Sequence, residues 1–76
     1  MTNKRHYSDY TNLLKFYRLG FTDGRYNFPS ETNEIIEQLH EKIDREILLM
    51  YLDQYITGYC IGKSMNRECQ KVLKKD

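Results

Sequence analysis

"KFYRLGFTDGRYN", residues 15–27, and "DQYITGYCIGKSM", residues 53–65, share one pattern: Tyr, two residues, Gly, aromatic, two residues, Gly, basic. The first copy reads Tyr17, Gly20, Phe21, Gly24, Arg25; the second, 38 residues later, reads Tyr55, Gly58, Tyr59, Gly62, Lys63. At about 100° per residue, Tyr17, Gly20, Phe21 and Gly24 share one stripe of a helix. Glycine inside a helix costs roughly 1 kcal/mol relative to alanine. Four of them weigh heavily in a small domain, and the usual compensation is close approach of two backbones where no Cβ intervenes. The same spacing pairs helices in membranes, but these segments are too polar to be membrane helices. The pattern therefore predicts a water-soluble helix crossing in which Tyr17, Phe21, Tyr55 and Tyr59 surround Gly20, Gly24, Gly58 and Gly62. The competing reading makes Gly24 and Gly62 helix C-caps. It is weaker for Gly62, because "KSMNRECQKVLKK" continues amphipathically.

Working outward, helix spacing of Tyr10, Leu13, Leu14, Tyr17 and Phe21 places a first helix at about 9–24, capped by Ser8 or Thr11. "DGRYNFPS" ends it with turn residues and the single proline, Pro29. A second helix starts near Ser30 or Thr32, with Ile35, Ile36, Leu39 and Ile43 on one face. No Gly or Pro occurs between Glu31 and Thr57, so local propensity alone allows one long helix over 31–73. On such a helix Gly58 lies about 40 Å from residue 31 at 1.5 Å per residue, beyond reach of Gly20 within the chain. A reversal around His40–Arg45, with Asp44 as N-cap, solves this and makes the first and third helices parallel. The fold class expected is thus all-α: a three-helix domain at about 9–24, 31–41 and 45–73, with a close crossing at the paired glycine segments. The alternative is helix one plus a continuous helix 31–73 in a dimer. Residues 1–7 are polar and read as a frayed end, leaving 8–76 as a single helical domain.

Seventy-six residues allow one domain with a small core. The chain is 39% hydrophobic and 30% charged, and no apolar run approaches the ~20 residues that span a bilayer. The opening MTNKRHYSDY lacks an apolar signal region, so a cytoplasmic protein is expected. Cys60 and Cys69 face opposite ways on a helix, which argues against a disulfide between them. With only His6 and His40 beside them, no metal-site spacing arises. "GYCIGKS" ends like a phosphate-binding loop but lacks the first glycine and a preceding strand. No nucleophile or acid/base pair stands out, so neither an enzyme nor a cofactor is expected.

Net charge is +1, yet it is segregated: residues 1–30 and 54–76 each carry five basic and two acidic groups, and 31–53 carry two basic and seven acidic. The layout Gly20-Phe21, Gly24, Pro29 and Gly58-Tyr59 resembles the ribosome modulation factor family, which also sets glycine-aromatic helix segments about a Pro-containing connection. That resemblance covers about twenty positions, and it implies rRNA contact through Arg18, Arg25, Lys63 and Arg67. Members of that family are strongly basic and lack a long acidic connecting helix; this chain differs in both respects.

The function expected from the residues is contact with a partner protein: a small regulator, inhibitor or adaptor, with a phage or plasmid as one candidate source. Seven tyrosines and surplus apolar surface on helix three motivate it, since Tyr and Arg are enriched at binding hot spots. Arg18, Arg25, Met50, Ile61, Lys63 and Arg67 are the partner-binding candidates, and RNA or ribosome binding is the alternative. A homodimer is expected as well, because Ile36, Leu39, Ile43, Ile47 and Met50 keep the three- and four-residue spacing of a coiled-coil seam.

Overall fold

The computed structural model describes residues 5–9 and 12–74, with side chains as far as Asn66. After a 3-10 turn at Tyr7–Asp9 come three helices: α1 (Leu13–Arg25), α2 (Thr32–Leu39) and α3 (Arg45–Lys74). There is no strand among the described residues. The three-helix, all-α expectation holds.

The N-cap of α1 is Asn12 rather than Ser8 or Thr11. Its backbone is extended, and its side chain accepts a hydrogen bond from the Leu14 N–H at 2.8 Å. Ser8 lies instead in the 3-10 turn, and Thr11 lies outside the described residues. The far end of α1 closes on Asn27, whose φ is 62°. Phe28 N–H reaches back to the Asp23 carbonyl (2.7 Å) and Asn27 N–H to the Gly24 carbonyl (3.1 Å), the two bonds of a Schellman motif. Asparagine, which tolerates the left-handed region, thus takes the capping place that glycine often fills. None of the glycines has a positive φ, so Gly24 and Gly62 are not left-handed caps.

α2 has Glu31 as its N-cap, without a side-chain capping bond. It ends at Leu39, whose carbonyl accepts from the N–H groups of both Lys42 (2.9 Å) and Ile43 (3.2 Å). That turn over residues 40–44 overturns the continuous helix 31–73. No Gly or Pro marks it; the burial of Ile35, Leu39, Leu48 and Leu52 in one core does. Folding α2 back along α3 brings the Tyr55 hydroxyl 3.0 Å from the Glu31 backbone N–H. The turn also breaks the anticipated seam: Leu39 is 2% exposed and Ile43 packs against the core, while Ile36, Ile47 and Met50 remain exposed.

Tyr7, Phe16, Ile35, Leu39, Leu48, Leu52 and Tyr55 form the core. Tyr7 corrects the reading of residues 1–7 as a frayed end. It is fully buried, its ring stacks 6.0 Å from Phe16, and its N–H donates to Gln38 Oε1 at 2.9 Å. Gln38 Nε2 in turn donates to the Arg5 carbonyl at 2.8 Å. Residues 5–9 therefore form a strap across α2 and the core, and Met1–Lys4 lie outside the described residues.

Candidate functional site: the helix crossing and its two faces

α1 and α3 run parallel and meet at the four glycines. A Cβ added to Gly20 would overlap the Tyr55 carbonyl and stand 2.9 Å from Tyr59 N; one added to Gly24 would overlap the Tyr59 carbonyl and stand 2.9 Å from Lys63 N. The same holds in the other direction. A Cβ on Gly58 would overlap the Tyr17 carbonyl, 2.9 Å from Phe21 N, and one on Gly62 the Phe21 carbonyl, 2.8 Å from Arg25 N. Residue n of α1 thus lies level with residue n + 38 of α3, and the contact has an approximate two-fold axis along the helices. Each glycine faces the carbonyl of the residue three positions before its counterpart, an arrangement that only hydrogen at Cα permits.

The two-fold relation leaves the crossing with two aromatic faces. Helix geometry puts Tyr55 and Tyr59 on the side of Phe16 and Asp23, and Tyr17 and Phe21 on the opposite side with Gln54 and Ile61. The first face is covered: Tyr55 is fully buried, and the Tyr59 hydroxyl donates to the Phe28 carbonyl at 2.5 Å. Tyr17 and Phe21, whose rings are 6.5 Å apart, are only half-buried.

The covered face contains a polar knot. Asp23, 1% exposed, accepts two bonds from the Arg5 guanidinium at 2.8 Å each and one from the Tyr55 hydroxyl at 2.5 Å. The Tyr7 hydroxyl donates to Glu31 Oε1 at 3.0 Å, which anchors the N-cap residue of α2 to the strap. The hydrogen bond with Asp23 holds the Arg5 guanidinium charged and raises its pKa. Burial raises the Tyr55 phenol, reinforced by its bond to Asp23, and burial pushes Tyr7 up to about 12. Such a set ties strap, α1, α2 and α3 together, and its carboxylate is closed off by its own donors.

The six partner-binding candidates fall into separate places. Arg25 and Lys63 come to one end of the crossing, with the Lys63 ammonium 5.5 Å from the Tyr59 ring centroid. Arg18 lines a shallow depression of about 290 Å³ with Lys15, Leu19 and Thr22. Met50 and Ile61 are 51% and 41% exposed on the uncovered side of α3, and the Arg67 side chain lies outside the described residues. Tyr26 and Phe28 were missed by sequence reasoning: they sit beside Arg25, 61% and 48% exposed, with ring centroids 6.1 Å apart. Aromatics in "GRYNFPS" read as turn fillers, and nothing local marks them as uncovered. Arg5 and Asp23 were missed too, although Asp23 falls on the apolar stripe beside Phe16 and Gly20, a position that requires a buried donor.

Cys60 is a free, exposed thiol. Among the described residues, no three or more His, Cys, Asp or Glu side chains gather to hold a metal ion, and no helix is long and apolar enough to cross a membrane. No protein-family model, curated protein or solved structure matches the chain.

Proposed function

We propose that this is a small non-enzymatic regulator, inhibitor or adaptor that acts by contact with a partner protein, at the end of the crossing where Arg25, Tyr26 and Phe28 are exposed. The observation that carries this reading is the exposed pair Tyr26 and Phe28, with exposed Arg25 next in the chain. Within residues 13–30 the single carboxylate is Asp23, buried against Arg5, and residues 54–66 contain none. An aromatic pair held on a capped turn beside an arginine has the composition of a binding hot spot. Its charge selects a partner surface that is apolar at the centre and acidic at the rim.

The second reading, RNA or ribosome binding, draws on the same end. Exposed aromatic rings next to Arg25 also suit unstacked bases and phosphates, and the family resemblance implies rRNA contact. Against it stand the seven carboxylates of residues 31–53, which repel a nucleic-acid backbone.

The test is capture from native lysate with and without nuclease, using the wild type and the double variant Arg25→Glu/Tyr26→Ala. A protein retained after nuclease by the wild type and lost by the variant supports the leading reading. Recovery of RNA, lost in the variant, replaces it with the second. Equal capture by both chains removes this end as the site.

A further inference from the structure

We infer that the groove between α1 and α2 is a recognition site for an extended peptide carrying arginine and tyrosine two residues apart. Within the chain the strap occupies it, and a partner protein's segment of that chemistry displaces the strap. The strap is held as a bound peptide is held. Arg5 and Tyr7 turn inward, whereas His6, Ser8 and Asp9 are exposed. The Arg5 guanidinium donates twice to Asp23 at 2.8 Å, and the Tyr7 hydroxyl donates to Glu31 at 3.0 Å. Between them the side-chain amide of Gln38 reads the backbone twice. It accepts from Tyr7 N–H at 2.9 Å and donates to the Arg5 carbonyl at 2.8 Å. Alternate side chains in pockets, with main-chain bonds between them, are the mark of extended-peptide recognition.

The groove is built without the strap. The Tyr55 hydroxyl donates to Asp23 at 2.5 Å and accepts from the Glu31 N–H at 3.0 Å, joining α3, α1 and the start of α2. The Phe16 ring, which stacks on Tyr7 at 6.0 Å, is backed by Tyr51 at 4.7 Å. The glycine crossing lies wholly within α1 and α3. The chemistry of the floor then names the ligand. Asp23 is 1% exposed, and an open groove removes two of its donors. A buried carboxylate in that state is costly, so the groove demands a planar cation that donates twice, which is arginine rather than lysine. A tyrosine two residues on meets Phe16 with its ring and Glu31 with its hydroxyl. Apolar side chains of similar volume would fix a purely structural strap at least as firmly; the buried charge adds selectivity among ligands.

The groove uses none of Arg25, Tyr26 and Phe28, so lysate capture and peptide binding can fail independently. Because the strap competes from within, the test uses the full chain with its strap disabled. The Arg5→Ala/Tyr7→Ala chain should bind the labelled peptide MTNKRHYSDY, residues 1–10, saturably in fluorescence anisotropy. Peptides carrying Arg5→Ala or Tyr7→Ala should bind it at least about tenfold more weakly, and so should the wild-type chain bind the intact peptide, its own strap blocking the groove. Amide exchange on the wild type gives a readout that needs no variant. The Tyr7 N–H should exchange at least about 100-fold faster than the Tyr55 and Tyr59 amides of the crossing, as the strap opens without global unfolding. A double variant that keeps its helical circular dichroism yet binds no peptide, equal binding of the altered peptides, or Tyr7 exchange as slow as that of the crossing would each overturn the proposal. So would a wild-type dimer in sedimentation equilibrium that Tyr7→Ala dissociates, because a second copy's strap would then be the ligand.

Discussion

Gly20 and Gly58 occupy matching places in one contact: Gly20 faces the carbonyl of Tyr55, and Gly58 faces the carbonyl of Tyr17. Each of those carbonyls belongs to the residue three before the other glycine. The repeat at 38 residues is therefore the sequence form of a near-symmetric parallel crossing.

Substitution at the crossing should cost far more than helix propensity returns. Gly20→Ala and Gly58→Ala each gain roughly 1 kcal/mol in intrinsic helix preference. Each also drives a methyl group into rigid backbone of the facing helix, and overpacking typically costs 1–3 kcal/mol or more. Urea denaturation should show both variants less stable than the wild type, by about 2 kcal/mol. Variants as stable as the parent would mean that the helices stand further apart.

Breaking the knot from either side should loosen the strap. Arg5→Met leaves the Asp23 carboxylate, 1% exposed, with one side-chain donor in place of three. Leaving a buried charge uncompensated costs on the order of 3 kcal/mol. Arg5 is itself partly exposed, so Asp23→Asn should cost less than Arg5→Met. Thermal melts that rank the two the other way would refute this assignment of burial.

Alkaline pH should destabilise the fold through Tyr7 and Tyr55. Both phenols have pKa values raised above the ordinary 10.0, Tyr7 to about 12, so the folded chain keeps protons that the unfolded chain releases. Their contribution is fully present below pH 10 and is lost as pH rises through the window from 10 towards 12. The urea midpoint should fall across that window, and Tyr7→Phe should show a shallower fall. An identical slope in Tyr7→Phe would remove Tyr7 from the account.

The left-handed cap at Asn27 offers a gentler probe. Asn27→Gly should be neutral or slightly stabilising at φ 62°, whereas Asn27→Ala should cost about 1 kcal/mol. Equal stabilities for these two variants would show that the Schellman turn does not persist in solution.

Much of this fold was legible because its signals are local or periodic. The crossing follows from glycine spacing, and the reversal after α2 follows from the reach needed to bring Gly58 to Gly20. What escaped is non-local. Tyr7 looks like part of a polar tail until Phe16 and Gln38, far along the chain, provide its surroundings. Asn12 rather than Ser8 caps α1, because Ser8 is taken up in the strap's own 3-10 turn. The exposure of Tyr26 and Phe28 depends on where the loop lies over α3, which spacing does not encode.

The backbone contact itself can be measured directly by nuclear Overhauser spectroscopy on labelled protein. A glycine Cα held this close to the facing helix should give strong cross-peaks from Gly20 Hα to the Tyr59 amide and from Gly58 Hα to the Phe21 amide. Both peaks, with the matching pair from Gly24 to Lys63 and from Gly62 to Arg25, are the predicted result. Peaks linking Gly20 to residues near Gly62, as an antiparallel pairing would give, or no interhelical glycine peaks at all, would contradict the parallel glycine crossing.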